Sequence, residues 1–287
     1  ANWGVDEHYL NDVWSNTIMS YFSPTDNLQF QALGFSYVYS LTPMLADLVA
    51  VAQMYGTAAN TRAAATTYGF NSNAGRAVYD ATLNPNVAYT VFDSGGLDTL
   101  DYTGFSQDQL VNLAPETFSN VGGFVGNVSI ARGVEIEIAR TGAGNDTLYG
   151  STGDNRLYGG GGNDVVEGRD GDDWVVGSAG ADTLRGGNGN DTYFVDSTDT
   201  ISESGGSGTA DEVRADFDYT LGTGLERLRL KGTAVNGTGN TADNYLLGNA
   251  TGNVLTALDG SDRLYGYGGN DTLDGGNGND FLYGGAA

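Results

Sequence analysis

From residue 141 an apolar side chain recurs every ninth position. Leu148, Leu157, Val166, Val175, Leu184 and Tyr193 mark a first run, and Leu246, Leu255, Leu264, Leu273 and Leu282 a second. Two residues before each stands an Asp or an Asn: Asp146, Asn155, Asp164, Asp173, Asp182 and Asp191, then Asn244, Asn253, Asp262, Asp271 and Asp280. The first four residues of each nonapeptide are rich in glycine, as in GGGGNDVVE and GGNGNDTYF. This spacing predicts a six-residue turn followed by a three-residue strand whose middle side chain points inward. Two nonapeptides make one coil, so unit n stacks on unit n+2. The expected fold is mainly β, a right-handed parallel β-roll. A disordered linker has no reason to hold such a phase.

Upstream the pattern changes. In TPMLADLVAVAQMYG the residues Leu45, Leu48, Val49 and Ala52 recur at helical spacing. This predicts one helix over 43–55, opened by Thr42 and Pro43 and closed by Gly56. AYTVFD and VSIARGVEIEIA alternate or run apolar between Gly, Asn and Asp and read as short strands. The expected organisation is a small α+β segment over 1–75, β segments over 76–140, a first roll over 141–195, bridging coils over 196–238 and a second, truncated roll over 239–287. The step from Asp191 to Asn244 is one residue short of a multiple of nine, so the register slips in the bridge.

Composition narrows the chemistry. The 287 residues include 46 glycines and no cysteine, so disulfides, thiolate metal sites and a Cys nucleophile are excluded. The formal charge is −24, from 36 acidic and 12 basic residues, which argues against nucleic acid as a partner. With 17 Tyr and 11 Phe the acidity does not mark a tail; it awaits cations. No apolar run is long enough to span a bilayer. The chain opens on ANWGVDEHYL without Met and closes on DFLYGGAA in mid-pattern, as a piece of a longer protein would.

Stacking every second nonapeptide places Asp146, Asp164 and Asp182 along one edge and Asn155, Asp173 and Asp191 along the other. At about 5 Å separation each carboxylate pair costs around 3 kcal/mol at an effective dielectric near 20. A hard cation with oxygen ligands reverses that sign, and calcium accepts many carbonyls and carboxylates in flexible geometry where magnesium does not. The glycine turns free backbone carbonyls to face such an ion. The candidate ligands are therefore Gly142, Gly144, Asp146, Gly160, Gly162, Asp164, Gly171, Asp173, Gly180, Asp182, Gly187, Gly189 and Asp191, then Gly260, Asp262, Gly269, Asp271, Gly276, Gly278 and Asp280. Asn155, Asn244 and Asn253 supply no charge, and calcium is expected to be weak or missing at their turns.

The nonapeptide resembles the calcium-binding repeat of the RTX proteins. Before it come IMSYFS, the helical stretch, NTRAAATTYGFNSN, FDSGGLDTLDYTGFSQDQLVNL and FSNVGGFVGNVSIARGVEIEIA. In that order they resemble the serralysin family, secreted zinc metalloproteases of Gram-negative bacteria within the metzincin group. The likeness covers residue 9 to about 194, and the second repeat block departs from the family's usual ending. It implies a remnant of a metzincin catalytic domain before the roll. Met19 would be the Met-turn residue beneath the zinc ligands, and Tyr21 the tyrosine that reaches the zinc. The family's zinc-binding histidines and general-base glutamate occupy an H-E-x-x-H helix that this chain lacks. Its single histidine, His8, falls where the family has a variable loop.

The resemblance also implies calcium ligands at Asp93, Gly95, Gly96 and Asp98, at Glu137 with Glu135 nearby, and at the Arg62 carbonyl. After that Arg the family has Thr-Gly-Asp where this chain has Ala63, Ala64 and Ala65. Type I secretion to the extracellular space is implied too, with a signal lying beyond DFLYGGAA. Two functional readings follow. The chain is the calcium-binding portion of a zinc endopeptidase, inactive alone, with zinc only in the intact parent and its own N-terminal catalytic fragment and protein substrates as partners. Alternatively it is a non-catalytic, calcium-rigidified extracellular structural or adhesive module.

Overall fold

A computed structural model describes residues 62–203 and 208–286. The expected helix over 43–55, together with His8, Met19 and Tyr21, lies outside the described residues. Within them the only helix is the single 3₁₀ turn Ala77–Tyr79; the rest is short strands and turns. The chain divides into two compact units, one up to Thr147 and one from Leu148.

In the first unit, strands Thr67–Gly69, Thr99–Asp101 and Ile138–Arg140 run parallel side by side. Their middle residues Tyr68, Leu100 and Ala139 stand in register, each 0% exposed. Tyr89–Val91 pairs in parallel with Val128–Ile130, which also pairs antiparallel with Phe118–Ser119. The expected strands of AYTVFD and VSIARGVEIEIA are therefore present. Tyr68, Tyr79 and Tyr89 pack edge to face, with centroids 5.2 and 5.3 Å apart. The Tyr89 hydroxyl meets the Tyr102 hydroxyl at 2.9 Å, so these buried phenols satisfy each other.

The second unit is a parallel β-solenoid. One wall is a continuous sheet of Arg156–Gly161, Trp174–Ala179, Thr192–Val195, Glu212–Ala215, Arg227–Leu230, Tyr245–Leu247, Arg263–Tyr265 and Phe281–Tyr283. The opposite wall is two shorter parallel sheets. One holds Val165–Asp170, Thr183–Asn188 and Thr200–Ile201. The other holds Tyr219–Thr220, Asn236–Thr238, Val254–Thr256 and Thr272–Asp274. The core is the column that the nine-residue apolar repeat predicts. Leu157, Val175, Tyr193, Leu246 and Leu264 stack at 0% exposure, faced by Val166, Leu184 and Leu255; Val213 and Leu228, outside the nine-residue phase, continue the column through the bridge, and Leu282, expected inward, is 43% exposed on the last strand. Full burial of such a side chain contributes about 1.5–3 kcal/mol, so this column, with Ala215, Leu230 and Leu247 buried beside it, holds the fold.

The bridge from 196 to 238 continues the solenoid, and the one-residue slip has a location. Asp191 and Asp211, paired across successive coils, are 20 residues apart instead of 18; Asp211 and Glu226 are 15 apart. A coil two residues long and a coil three residues short leave the net offset. Where the bridge places Gly237 at an inward position, Leu228 and Leu255 close over it; a Cβ there would lie 3.1 and 3.0 Å from their methyls.

Because the core is one side chain deep, Leu228→Ala should lower stability in calcium buffer by about 2–5 kcal/mol. Val254→Ala, on an outward side chain 40% exposed, should stay within about 0.5 kcal/mol. Urea unfolding of the two variants checks this, and equal losses would contradict the single-column core.

Candidate metal centres

Each turn ends in the acidic or amide residue that the repeat predicts, and almost all of these are buried. Asp173 is 0% exposed and Asp191 1%. One carboxylate oxygen of each Asp accepts a backbone N–H from the equivalent residue of the preceding coil. Asn155 donates to Asp173 Oδ1 at 2.7 Å, Asp173 to Asp191 Oδ1 at 2.8 Å, and Asp191 to Asp211 Oδ1 at 2.7 Å. On the other edge Asp164 donates to Asp182 Oδ1 at 2.7 Å, and Asp182 to Asp199 Oδ1 at 3.1 Å. Later coils repeat this, with Asn244 donating to Asp262 at 2.6 Å, Asn253 to Asp271 at 2.8 Å and Asp262 to Asp280 at 3.0 Å. Asn155, Asp173 and Asp191 on one edge, and Asp164 and Asp182 on the other, are therefore joined as ladders.

The second oxygen is the chemically significant one. Oδ2 of Asp173, Asp191, Asp262 and Asp271 is buried without a hydrogen-bond partner. In three of these turns it lies against the first glycine: a Cβ on Gly168, Gly186 or Gly266 would fall on the carboxylate of Asp173, Asp191 or Asp271 respectively, whereas the Asp262 turn begins with Ala257. These first-position glycines were not among the expected ligands. Their role is steric, and the only signal for it was the Gly that recurs five residues before the turn Asp. The expected fourth-position glycines Gly162, Gly171, Gly180, Gly189, Gly260, Gly269 and Gly278 are all left-handed. A Cβ on Gly180 or Gly278 would strike the carbonyl of Gly162 or Gly260 one coil away. Gly160, Gly187 and Gly276 are left-handed at the second position.

The turns fall into two classes. In several Asp turns the second residue is left-handed even where it is not glycine: Arg169, Ser178, Leu258 and Tyr267 have φ of 83°, 80°, 82° and 71°. Such backbone is strained for side chains of this kind. In the Asn turns the second residues Ser151, Asn240 and Asn249 are not left-handed. Here the amide oxygen closes its own turn, accepting N–H of Ser151 at 2.6 Å, Asn240 at 2.6 Å and Asn249 at 2.8 Å. The amide nitrogens then fill carbonyls of a neighbouring coil. Asn240 donates to Gly222 and Leu225, both at 2.7 Å; Asn249 and Asn253 donate to Ala234 at 2.8 and 2.9 Å. At the Asn155 turn the Arg169 guanidinium donates to the Gly150 carbonyl at 2.9 Å. An amide carries its own donor and no charge, whereas a carboxylate has only acceptors. The Asn turns are thus self-satisfied and the Asp turns are not.

In the first unit Asp146 Oδ1 accepts the Gln109 N–H at 2.7 Å. A Cβ on Gly142 would fall on the Phe105 carbonyl, and one on Gly144 would lie 2.5 Å from that of Gln107. A second cluster joins Thr66, which donates to Asp98 Oδ1 at 2.8 Å, and Asp98, whose N–H donates to Glu137 Oε2 at 2.7 Å. Oδ2 of Asp98 is again buried and unpartnered. Asp93 accepts the Tyr68 hydroxyl at 2.7 Å and the Ser94 and Gly95 N–H groups at 2.7 and 3.2 Å. Gly95 and Gly96 are left-handed, and a Cβ on Gly96 would lie 2.8 Å from the Ala64 carbonyl. Arg62 turns its guanidinium to the Phe92 carbonyl at 2.6 Å and over the Tyr79 ring. Glu135 is exposed.

Burial shapes the electrostatics. It pushes the Asp173 carboxyl up to about 7, helped by the charges of Asp191, Asp154 and Asp172. Asp191 and Asp211 rise to about 6, again from burial and then from their acidic neighbours. Asp98 rises to about 6 from burial and from the charges of Asp93 and Glu137. Among the described residues no three His, Cys, Asp or Glu side chains converge as a metal-binding group. The donor set is single carboxylates plus backbone carbonyls, which suits a many-coordinate oxygen-seeking cation and not a site built of imidazoles. Asp199, Asp211 and Glu226, which carry the ladder through the bridge, fall outside the nine-residue phase, so the periodicity did not reveal them.

Comparison with known proteins places these features. Residues 57–231 match the family model described as peptidase M10 serralysin C terminal. Residues 238–273 and 256–287 match that of the RTX calcium-binding nonapeptide repeat. Similar curated proteins include the metallopeptidase AprA of Pseudomonas marginalis, 41% identical over 151 residues, 52% of this chain and 32% of that protein. Serralysin of Photorhabdus luminescens is 45% identical over 150 residues, 52% of this chain and 30% of that protein. Serralysin C of Dickeya chrysanthemi is 43% identical over 144 residues, 50% and 29%. The chain therefore spans about a third of the length of the curated relatives it matches.

The raised carboxylates fix the pH response of the metal-free protein. A folded-state value above the unfolded one means that folding takes up protons. The stabilisation is full below pH 4 and is lost as pH rises through the folded values of about 6 to 7. In EGTA, far-UV circular dichroism should show more β structure at pH 5 than at pH 8; a flat or reversed profile would contradict the desolvated ladder.

Proposed function

The chain belongs to the serralysin C-terminal family of M10 peptidases, and on that footing we propose that it is the calcium-folded roll of a secreted zinc endopeptidase. The observation that carries the proposal is the row of buried carboxylate oxygens left without a partner at Asp98, Asp173, Asp191, Asp262 and Asp271. Buried charge needs compensation. Calcium is the cation that these oxygens and the glycine-turn carbonyls suit, and the matched RTX repeats are calcium-binding repeats.

The proposed ligands are the turn Asp residues together with carbonyls of their glycine turns, and in the first unit Asp93, Asp98 and Glu137 with Gly95, Gly96 and the Arg62 carbonyl. When bound, calcium supplies the positive charge that the ladder lacks. The residues themselves do the rest. Oδ1 fixes the spacing of the coils, Oδ2 faces the ion position, and the first-position glycine leaves room for it. The Asn244 and Asn253 turns need no ion, because their amides already occupy the carbonyls. A ligand that binds only the folded state stabilises it by about 2.7 kcal/mol per site at a hundredfold excess over its Kd. Extracellular modules bind calcium with Kd of about 10⁻⁴–10⁻³ M. The roll would thus stay open at cytosolic calcium, ready for type I export, and fold outside. No helix among the described residues is long and apolar enough to cross a membrane. Proteolysis belongs to the parent protein. Met19 and Tyr21 would serve it only with a zinc-binding helix supplied.

Calcium titration followed by far-UV circular dichroism tests this. EGTA should remove most of the β signal at pH 7.5, and an unchanged spectrum would sink the proposal. Asp173→Ala should lower the cooperativity of the titration more than Asn155→Ala, since only Asp173 contributes charge; equal effects would refute the ladder mechanism. The 287-residue chain alone, given zinc, should leave casein intact. Chelator-sensitive cleavage would show that it holds a complete catalytic centre.

A further inference from the structure

The outward face of the long sheet has a composition unlike the rest of the molecule. Strand alternation turns two columns of side chains outward, one on each side of the buried column. Read along the register, the first is Arg156, Trp174, Thr192, Glu212, Arg227, Tyr245, Arg263, Phe281. The second is Tyr158, Val176, Phe194, Arg214, Arg229, Tyr265 and Tyr283, with Leu247 at this register position buried at 1% exposure. In a chain of net charge −24, the face holds five arginines and a single acid, Glu212. Glu212 is shared between Arg214 at 2.6 Å and Arg229 at 3.2 Å, with Arg227 at 3.7 Å. One carboxylate cannot neutralise them, and Arg263 makes no ion pair with a described residue. The guanidinium groups lie on rings instead: Arg156 over Trp174 at 5.1 Å, Arg214 over Phe194 at 5.1 Å and Arg227 over Tyr245 at 4.9 Å.

Part of this face borders an open groove of about 530 Å³. Arg227, Tyr245 and Arg263 stand in register along it, with Glu226, Asp243 and Ser261 also lining it. The two arginines are two strands apart, about 10 Å at the usual strand spacing. A bound chain would meet two guanidinium groups that seek anions, an aromatic ring with the Arg227 guanidinium over it, and two carboxylates that each accept one backbone N–H already and can take a further donor such as a hydroxyl on the other oxygen.

We propose that this face is a docking surface for an acidic polysaccharide, with Arg227 and Arg263 taking its anionic groups, Tyr245 stacking on a sugar ring, and Glu226 and Asp243 accepting its hydroxyls. Charge complementarity selects an anion. The mixture of cationic, aromatic and acidic lining selects one that also carries many hydroxyl donors, which a phosphodiester backbone does not. The inference is independent of the peptidase reading and needs only the folded, calcium-loaded chain.

The test uses the full chain in calcium buffer, with folding of every variant checked by circular dichroism. Isothermal titration with short chondroitin sulfate oligosaccharides should give saturable binding that weakens as salt rises. Arg263→Gln, at an exposed residue outside the ion-pair cluster, should weaken it several-fold. Tyr245→Ala should weaken it as well, and Arg227→Gln with Arg263→Gln by tenfold or more. Arg132→Gln, whose partner is the distant-in-sequence Glu116, should leave it unchanged. Neutral dextran oligosaccharides should not bind. The proposal is overturned if chondroitin sulfate does not bind, or if Arg263→Gln and Tyr245→Ala bind as the parent does. It is equally overturned if a single-stranded oligodeoxynucleotide of equal charge binds as tightly through the same residues. Self-association abolished by Arg263→Gln would assign the face to a second copy and also overturn it.

Discussion

The structure depends on a carboxylate that is only half satisfied. In each Asp turn Oδ1 takes a backbone N–H from the coil before, which locks the coils at hydrogen-bonding distance. At Asp173, Asp191, Asp262 and Asp271 the residue is drawn inward so that Oδ2 is buried without a hydrogen-bond partner. Removing a charged group from water costs several kcal/mol unless it is paired or loses its charge. Two escapes are available. The carboxyl can take a proton, which is why Asp173 rises to about 7. Otherwise a cation can occupy the space that the first-position glycine keeps open. The aliphatic column cannot offset a whole ladder of bare charges by itself, since it offers one side chain per strand. On the proposed calcium assignment, folding and cation binding form one equilibrium, and the left-handed backbone at Arg169, Ser178, Leu258 and Tyr267 belongs to the turns that would hold the ion.

The Asn turns show the alternative that the same fold can adopt. Replacing an oxygen by NH₂ removes the charge and adds donors: Asn253 donates to the Ala234 carbonyl and Asn244 to Asn240 Oδ1, while the second residues Asn240 and Asn249 donate to carbonyls of a neighbouring coil. The three Asn turns differ from the Asp turns at the second residue as well as the sixth, so the two positions change together within this one sequence. The solenoid accordingly mixes coils whose integrity follows the cation with coils that hold without it. The irregular coils between Asp191 and Asn244 belong with neither class by spacing, yet Asp211 and Glu226 extend the ladder two coils beyond Asp191.

Much of this was legible in the residues. The nine-residue phase pointed to the strands of the two repeat blocks, the inward residues from Leu157 to Tyr193 and from Leu246 to Leu264, and the stacking of Asp173 on Asp191, but not to Val213 and Leu228 between them. The neutral Asn positions stood out as different. The motifs around FDSGGLDT and VEIEIA brought Asp98 and Glu137 together before any coordinates did. What stayed hidden was non-periodic or steric. Asp199, Asp211 and Glu226 occupy ladder positions through coils of altered length, which no fixed spacing finds. The need for glycine at 168 and 186 arises from a carboxylate five residues later folding back over it, a contact invisible in one dimension. The arginine and aromatic columns emerged only when strands 15 to 20 residues apart were set in register.

The most direct test of the account is an anomalous-difference map from crystals of the calcium-loaded chain. The account predicts peaks beside Oδ2 of Asp173 and Asp191 and of Asp262 and Asp271, and none within the turns closed by the Asn244 and Asn253 amides. An ordered solenoid at neutral pH with those carboxylates still buried and no peak beside them would contradict it.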